Sequence, residues 1–352
     1  MRPTLFKHSF LLLLLLPACA VPGATPEAAT EDLRLPLIRT DIDIPTPHGT
    51  IHTEAVWRLG ANLRSDRHVV LLVPGTLANG AGYYDIARGT GFNASEVLAR
   101  EGFIVGLIDL PGTGESYRPA DGSTLDSEFY AQAVRRVALA YRLGFWVPSV
   151  SIYGETGVGT NVGLLLARET GVRSFVGSAL FYREFGPAVA TTLFDPGFRA
   201  GVGAVPGGYV PQDPMFLGAF FGAASPAIQA EAVSACLGPA PGTTPTGALL
   251  ELFDVNYATT SGPFGPAFVL DAPIVDAAPA RADALFIQGS PDFIGSENGT
   301  NEMAAAYGST GGGEAEVVVL PGASHLMRFD ATISDGPSSA FWSEVVAFLH
   351  AH

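Results

Sequence analysis

Residues 154–161 read GETGVGTN, and three glycines in eight residues are compatible with two kinds of catalytic loop. A phosphate-binding loop of the form G-x-x-x-x-G-K-[ST] surrounds nucleotide phosphates with backbone N–H groups. A nucleophile elbow of the form G-x-S-x-G presents a hydroxyl on a sharp turn between a strand and a helix. Thr160 stands where the phosphate loop needs lysine, and Asn161 where it needs a hydroxyl for magnesium. The segment therefore predicts an elbow, and we expect no nucleotide to bind.

Within the elbow pattern, Thr156 takes the serine position and Val158 the position of the second glycine. Threonine has the same hydroxyl chemistry and is a nucleophile in other folds. Its branched Cβ is unfavourable at this position, because the elbow residue adopts a positive φ. That conformation costs a β-branched residue more free energy than it costs serine. Glu155 at the apex is the less favoured alternative, since it places Tyr153 where a tiny residue is needed. Thr156 is thus either an unusual nucleophile or the mark of a fold that has lost acyl transfer.

An acid and a base follow the elbow along the chain. Asp292 ends the segment GSPD and His325 ends the segment PGASH, and each follows an apolar stretch typical of a strand. A histidine in such a loop can act as general base, and an aspartate can orient its imidazole and stabilise the protonated form. We therefore predict a catalytic triad of Thr156, His325 and Asp292.

The elements that must position these residues alternate between strand-like and helix-like patterns. An antiparallel pair of strands is predicted at residues 38–44 and 51–59. Further strands are predicted at 69–73, 103–108, 150–153, 175–181, 284–287 and 317–320, and helices from Asn93 and over 129–143, 162–167 and 340–349. Such alternation predicts a mostly parallel sheet with right-handed crossovers, in which ligands bind at the carboxyl ends of the strands.

Four loops together resemble the α/β-hydrolase superfamily: VPGT at residues 73–76, DLPGTGES at 109–116, GSPD at 289–292 and PGASH at 321–325. The resemblance covers roughly residues 35–350, and hydroxyl, acid and base occur in the family's order. It implies an α/β-hydrolase fold with a mostly parallel central sheet flanked by helices. It also implies hydrolysis of carboxylic esters without a cofactor, with the N–H groups of Thr76 and Gly157 as the oxyanion hole.

The resemblance divides the chain into a core, residues 35–181 and 283–352, and a helical cap insertion, residues 182–282. The insertion is rich in Gly, Pro, Phe and Ala, which suits an apolar pocket roof and hence a small-molecule ester with a hydrophobic part. The same composition equally suits core packing. The identity of the substrate depends on the shape of the cap and is left open.

The first 19 residues have the pattern of a signal peptide, with Arg2 and Lys7 before an apolar run too short to span a bilayer. The run ends in LPAC, which resembles a lipobox, and predicts a lipid anchor at Cys19; an ordinary small-x-small cleavage site is the alternative. Residues 20–34 read as a flexible tether. We expect an exported protein of the bacterial cell envelope, held to a membrane at Cys19. Cys236 would then be a lone, buried thiol.

Composition excludes several other classes of function. The net charge of the 352 residues is −15 with scattered acidic residues, which disfavours nucleic acid and anionic lipid as partners. Lys7 is the only lysine, so a mature chain has no amine for a Schiff base. Histidines show no metal-ligand spacing, and we expect neither metal nor cofactor. Two main hypotheses remain: an ester hydrolase, or a catalytically inactive binding protein of the same fold. A less favoured third hypothesis is haloperoxidase-like or lyase chemistry on this fold.

Overall fold

The computed structural model describes residues 35–61, 66–76, 80–179, 196–221, 224–238, 243–255, 280–290, 292, 295–309, 312–330 and 339–352. The predicted signal peptide, the lipid site at Cys19 and the tether lie outside these residues. None of the helices in the described part of the chain combines the length and the apolar character that crossing a membrane requires.

Eight strands of the described residues form one sheet in the order β1-β2-β4-β3-β5-β6-β9-β10. Their bounds are β1 Leu37–Thr46, β2 Gly49–Arg58, β3 Val69–Val73, β4 Ile104–Ile108, β5 Val150–Glu155, β6 Val172–Ser178, β9 Asp283–Ser290 and β10 Ala315–Pro321. β2 runs antiparallel to β1 and to β4, and the other neighbours are parallel. The predicted, mostly parallel central sheet is confirmed.

Helices cover both faces of the sheet, which explains why β3 (VVLLV) and β4 (IVGLI) are continuous apolar runs and are buried throughout. The flanking helices are α1 Ala94–Arg100, α2 Ser127–Phe145, α3 Val158–Leu166, α8 Glu297–Ser309 and α9 Ala340–Ala351. One face packs against α2, α3 and α8, and the other against α1 and α9. The side chain of Asn93 accepts a hydrogen bond from the N–H of Glu96, which places the start of α1 where the capping pattern predicts it.

The described residues between β6 and β9 form a mainly helical insertion. It contains α4 Pro196–Gly203, β7 Tyr209–Pro211, α5 Pro214–Phe220, α6 Pro226–Leu237, β8 Thr243–Pro245 and α7 Thr246–Val255. The Tyr209 hydroxyl donates to Pro119 O at 2.9 Å, and the guanidinium of Arg118 lies 3.6 Å from the centre of the Tyr209 ring. Glu231 accepts a hydrogen bond from the N–H of Ala87 at 2.8 Å. The insertion therefore packs on the loops that follow β3 and β4.

Three elements differ from the sequence-based predictions. β6 begins at Val172 and not at residue 175, because the polar Ser174 is buried and its hydroxyl bonds to that of Ser151 at 2.7 Å. α3 begins at Val158 and not at residue 162, since the elbow fixes the start of the helix despite the weak helix formers at 159–161. Helix α8 was not predicted, because ENGTNEMAAAYGS lacks a clear apolar stripe.

Candidate active site

Thr156 lies on the turn between β5, which ends at Glu155, and α3, which begins at Val158. Its φ is 35°, a left-handed conformation that costs a residue with a Cβ roughly 1–2 kcal/mol. Backbone hydrogen bonds hold the turn: the Thr156 N–H donates to Ser178 O at 2.9 Å, and Thr156 O accepts from Gly159 N at 3.2 Å. Thr156, and not Glu155, occupies the apex of the elbow.

The spacing of the glycines follows from how closely the backbone segments approach each other. A Cβ on Gly154 would lie 2.1 Å from the carbonyl oxygen of Gly159, and a Cβ on Gly159 would lie 2.5 Å from that of Val73. The backbone of helix α3 thus contacts the backbones of β3 and β5 directly, with no side chain between them. Gly159 provides this contact, and Val158, at the usual position of the second glycine, is a buried core residue.

The structure brings the three predicted triad residues together at the carboxyl ends of β5, β9 and β10. Thr156 Oγ1 lies 3.2 Å from His325 Nε2, and His325 Nδ1 lies 2.8 Å from Asp292 Oδ2. With Nδ1–H donated to the carboxylate, the lone pair on Nε2 faces the hydroxyl. The side chains of His325 and Asp292 are fully buried. Asp292 Oδ2 also accepts a hydrogen bond from Gln288 Nε2, so two side chains hold this oxygen.

The loop that carries His325 is held against the end of β9. A Cβ on Gly289 would lie 2.4 Å from Ser324 O, so only glycine allows this approach. Asp330 accepts a hydrogen bond from the Ser324 N–H at 3.0 Å. Both contacts are immediately next to the histidine and fix its distance from the acid.

The loop after β3 lies beside the elbow. Thr76 Oγ1 accepts a hydrogen bond from the N–H of Val158 at 3.2 Å, which ties this loop to the start of α3. Among the described residues, the backbone N–H groups of Thr76 and Gly157 donate to no protein acceptor. Two free donors near a helix N-terminus are what an oxyanion hole requires.

The methyl group of Thr156 points toward the same loop. A Cβ on Gly75 would lie 2.4 Å from Thr156 Cγ2, so the methyl group packs where residue 75 has no side chain. The hydroxyl is turned to His325, and the methyl is turned to the loop that would bind an oxyanion. Threonine therefore fits the elbow, but it occupies space that serine leaves open.

The sequence matches no family model and no curated protein. Solved structures of similar shape include a carboxyl esterase from Bacillus coagulans, with 13% identity, a TM-score of 0.58 and coverage of 89% of this chain and 98% of the other. An epoxide hydrolase from Vigna radiata has 15% identity and a TM-score of 0.58, covering 90% and 98%. A thermophilic esterase from Thermogutta terrifontis has 17% identity and a TM-score of 0.56, covering 89% and 97%. The chain has the α/β-hydrolase fold.

In this α/β-hydrolase fold, the DLPGTGES loop is hydrogen-bonded to the loop after β3. The Asp109 carboxylate accepts hydrogen bonds from the N–H groups of Ala81, at 2.5 Å, and Glu115, at 2.7 Å. Burial raises the pKa of Asp109, against the effect of these two donors. The side chain thereby joins the loops after β3 and β4, and it does not reach the triad.

Sequence reasoning missed Arg328, which is fully buried three residues after His325. Arg328 Nε lies 3.1 Å from Glu155 Oε2 and 3.2 Å from Oε1, and Nη2 donates to Tyr83 O at 3.0 Å. Burial lowers the pKa of Arg328, but the Glu155 carboxylate and the nearby Tyr83, Tyr153 and Tyr84 together raise it above its usual value. The only available signal was an arginine within the apolar stretch LMRF.

The pair of Glu155 and Arg328 connects three parts of the site. Glu155 directly precedes the elbow residue, Arg328 belongs to the histidine loop, and Tyr83 belongs to the 3₁₀ helix Ala81–Asp85 that follows the loop after β3. The guanidinium also lies 3.7 Å from the centre of the Phe329 ring. We conclude that the pair positions the elbow against the histidine loop.

The described residues contain no group of three or more histidine, cysteine, aspartate or glutamate side chains that could hold a metal ion. The residues around Thr156 offer a hydroxyl, an imidazole, a carboxylate and backbone N–H donors. These groups suit acyl transfer, in which a hydroxyl attacks a carbonyl carbon.

Proposed function

We propose that this protein hydrolyses carboxylic esters through Thr156, His325 and Asp292. The observation that carries the proposal is the unbroken contact from Thr156 Oγ1 to His325 Nε2 and from His325 Nδ1 to Asp292 Oδ2. It is supported by the position of Thr156 at a positive φ on a strand-to-helix turn, where its hydroxyl faces the end of the sheet.

The reaction follows from these groups. Thr156 Oγ1 attacks the ester carbonyl carbon while His325 Nε2 takes its proton, and Asp292 stabilises the imidazolium. The N–H groups of Thr76 and Gly157 stabilise the negative oxygen of the tetrahedral intermediate. The C–O bond to the alcohol breaks as His325 returns the proton to the leaving oxygen, and an acyl-threonine remains. Water, activated by His325, then releases the acid by the same steps.

The substrate class rests on the insertion. We propose a small ester with a hydrophobic part, because the described insertion places apolar side chains next to loops of the site. Phe221 lies 5.4 Å from Phe329, and 6.4 Å from Tyr83, between ring centres. Phe329 belongs to the histidine loop and Tyr83 to the segment after the oxyanion loop.

Fluorophosphonate labelling tests the nucleophile. The wild-type protein should form a covalent adduct at Thr156, identified by peptide mass spectrometry, and should hydrolyse short nitrophenyl esters. Thr156→Ala should lose both the adduct and the turnover, whereas Met215→Ala, an exposed substitution in the insertion, should keep both. An adduct at another residue, or equal turnover in Thr156→Ala, contradicts the proposed nucleophile.

A binding protein without acyl transfer is the second candidate, and the Thr156 methyl group against Gly75 favours it. If the methyl group blocks the oxyanion position, neither adduct nor turnover will form. An ester or acid that binds the pocket should then still raise the melting temperature of the wild-type protein.

We also propose that the mature chain begins at an acylated Cys19 and is held at a bacterial membrane. The LPAC sequence after the apolar run supports this. Intact-mass analysis of the protein from its native envelope tests it, and an unmodified chain that begins at Val21 contradicts it.

A further inference from the structure

Six large apolar side chains among the described residues are more than a third exposed. Five of them belong to neighbouring elements: Leu139, Leu143 and Trp146 to α2 and its C-terminal cap, and Leu35 and Leu59 to the ends of β1 and β2. We call these five residues the apolar end face; their exposed fractions range from 37% for Leu35 to 75% for Trp146. Scattered exposed apolar residues need no explanation, but a group on neighbouring elements indicates a surface that binds something.

The five residues belong together because of how β1, β2 and α2 pack. Leu139, Leu143 and Trp146 are spaced i, i+4 and i+7 along α2 and its C-terminal cap, so they share one face of the helix. Phe145, beside Trp146, contacts Trp57 in β2 with ring centres 5.7 Å apart.

Leu35 precedes β1 and Leu59 follows β2, so both lie at the same end of this strand pair. Ile38 pairs with Trp57, and Leu37 with Arg58, so the start of β1 and the end of β2 are adjacent. The N–H of Leu59 donates to Pro36 O at 2.9 Å. The start of β1 and the end of β2 therefore both lie at the apolar end face.

The apolar end face lies at the opposite end of the sheet from the triad. β2 is antiparallel to β4, with Thr53 opposite Ile108 and Val56 opposite Val105. The end of β2 therefore lies at the amino ends of the parallel strands, whereas Thr156 follows the carboxyl end of β5. A surface that covers the apolar end face leaves the site open.

The charge next to the apolar end face is positive, unlike that of the chain as a whole. Helix α2 carries Arg135, Arg136 and Arg142 against a single acidic residue, Glu128. A hollow of about 400 Å³ beside the helix is lined by all three arginines, by Leu139 and by Glu169. Glu169 pairs with Arg135 at 2.5 Å, so Arg136 and Arg142 are the arginines that it leaves uncompensated. The Arg142 Nε is buried and has no hydrogen-bond partner among the described residues. Because salt screens charges beyond about 8 Å, a surface held against α2 experiences these arginines more than the distant acidic residues.

We propose that the apolar end face docks on the surface of a lipid bilayer that contains anionic headgroups. Exposed leucine and tryptophan side chains insert at the level of the headgroups, and Arg136 and Arg142 of α2 bind lipid phosphates. The protein then sits with the amino ends of its strands toward the membrane and the Thr156 site toward water. This inference does not depend on ester hydrolysis or on acylation of Cys19.

The three tryptophans provide the test. Trp57 and Trp342 are buried and Trp146 is exposed, so a quencher in the bilayer reports on Trp146. The full chain is mixed with vesicles of phosphatidylcholine and phosphatidylglycerol whose acyl chains carry bromine. We expect loss of most of the Trp146 emission, a several-fold drop in its quenching by aqueous acrylamide, and neither effect in Trp146→Phe. Vesicles of phosphatidylcholine alone should quench several-fold less.

A matched pair of substitutions separates docking from attachment by any other segment. Leu143→Glu should abolish the bromine quenching, even where the protein stays on the vesicles, and Met215→Glu, the sixth exposed apolar residue, should leave it unchanged. Both variants should keep the wild-type melting temperature and reaction with the ester probes. Unchanged quenching in Leu143→Glu contradicts the proposal. A dimer in the absence of lipid that Leu143→Glu dissociates also contradicts it, since a second copy then covers this face.

Discussion

Among the described residues, two histidines contact a side-chain hydroxyl group, and they lie at opposite ends of the same sheet. His325 Nε2 is 3.2 Å from Thr156 Oγ1 at the carboxyl ends of the strands. His68 Nε2 is 2.6 Å from Ser151 Oγ at the amino ends, and Ser151 is in turn 2.7 Å from Ser174 Oγ. By distance alone, the second contact is the better one.

Their surroundings differ in every respect that matters for catalysis. His325 has the Asp292 carboxylate on its far nitrogen, whereas the charged groups that act on His68 are Arg173 and His350. Burial, together with these two groups, lowers the pKa of His68 to about 4 and keeps it neutral. Ser151 lies inside a strand and is fully buried, whereas Thr156 is partly exposed on a turn. A histidine–hydroxyl contact becomes a candidate for catalysis only with an acid partner and a hydroxyl that a substrate can reach.

The first prediction compares the effects of replacing each histidine on kcat/KM. His325→Ala should reduce kcat/KM for a nitrophenyl ester by about 10⁴-fold or more, as removal of the base does in other triads. His68→Gln should leave kcat/KM within about twofold, because its cluster lies at the other end of the sheet. Comparable losses in the two variants would mean that the His325 contact has no special role.

The second prediction concerns the buried ion pair of Glu155 and Arg328 at the His325 end. Arg328→Met or Glu155→Gln should each cost about 3–5 kcal/mol of unfolding free energy, because either change leaves a buried polar group without its partner. Both should also lower kcat more than they raise KM, since the pair positions Thr156 against His325. Urea denaturation and steady-state kinetics measure these effects.

A double mutant separates positioning from simple loss of packing. Glu155→Gln combined with Arg328→Met should be less destabilised than the sum of the single changes. As a control, Arg135→Met breaks the exposed pair with Glu169 and should cost less than about 1 kcal/mol. Additive effects of Glu155→Gln and Arg328→Met would show that the two side chains act independently.

The third prediction uses the depressed pKa of His68. Between pH 6.5 and about 4 the unfolded chain binds a proton at His68 and the folded chain does not, so stability falls as the pH falls through this window. At about 1.4 kcal/mol per pKa unit, the loss reaches at most about 3.5 kcal/mol. His68→Gln should remove this part of the acid sensitivity, and His48→Gln, at an exposed turn, should not. Parallel stability curves for wild type and His68→Gln would contradict it.

The sequence predicted the fold well because its strands are buried on both faces and its loops carry recognisable residues. Thr156, Asp292 and His325 could be chosen because each directly follows a strand, and parallel strands bring their carboxyl ends together. Arg328 could not be chosen, because its partner Glu155 is 173 positions away and an arginine in an apolar stretch usually extends to solvent. The bounds of β6 were wrong for a similar reason: Ser174 is polar in sequence, but its partner Ser151 allows it to be buried.

The last and smallest effect is expected at the elbow itself. Thr156→Ser keeps the hydroxyl beside His325 but removes the methyl group that packs toward Gly75, and serine tolerates the φ of 35° better than a β-branched residue. If the methyl group costs the reactive geometry about 1 kcal/mol, kcat should rise several-fold. The rise should appear in the rate of acylation, measured by stopped-flow release of nitrophenol, because the methyl group lies on the side of the oxyanion loop. Slower acylation in Thr156→Ser would show that the methyl group helps to orient Oγ1 toward His325, and that threonine at this elbow is an adaptation and not a handicap.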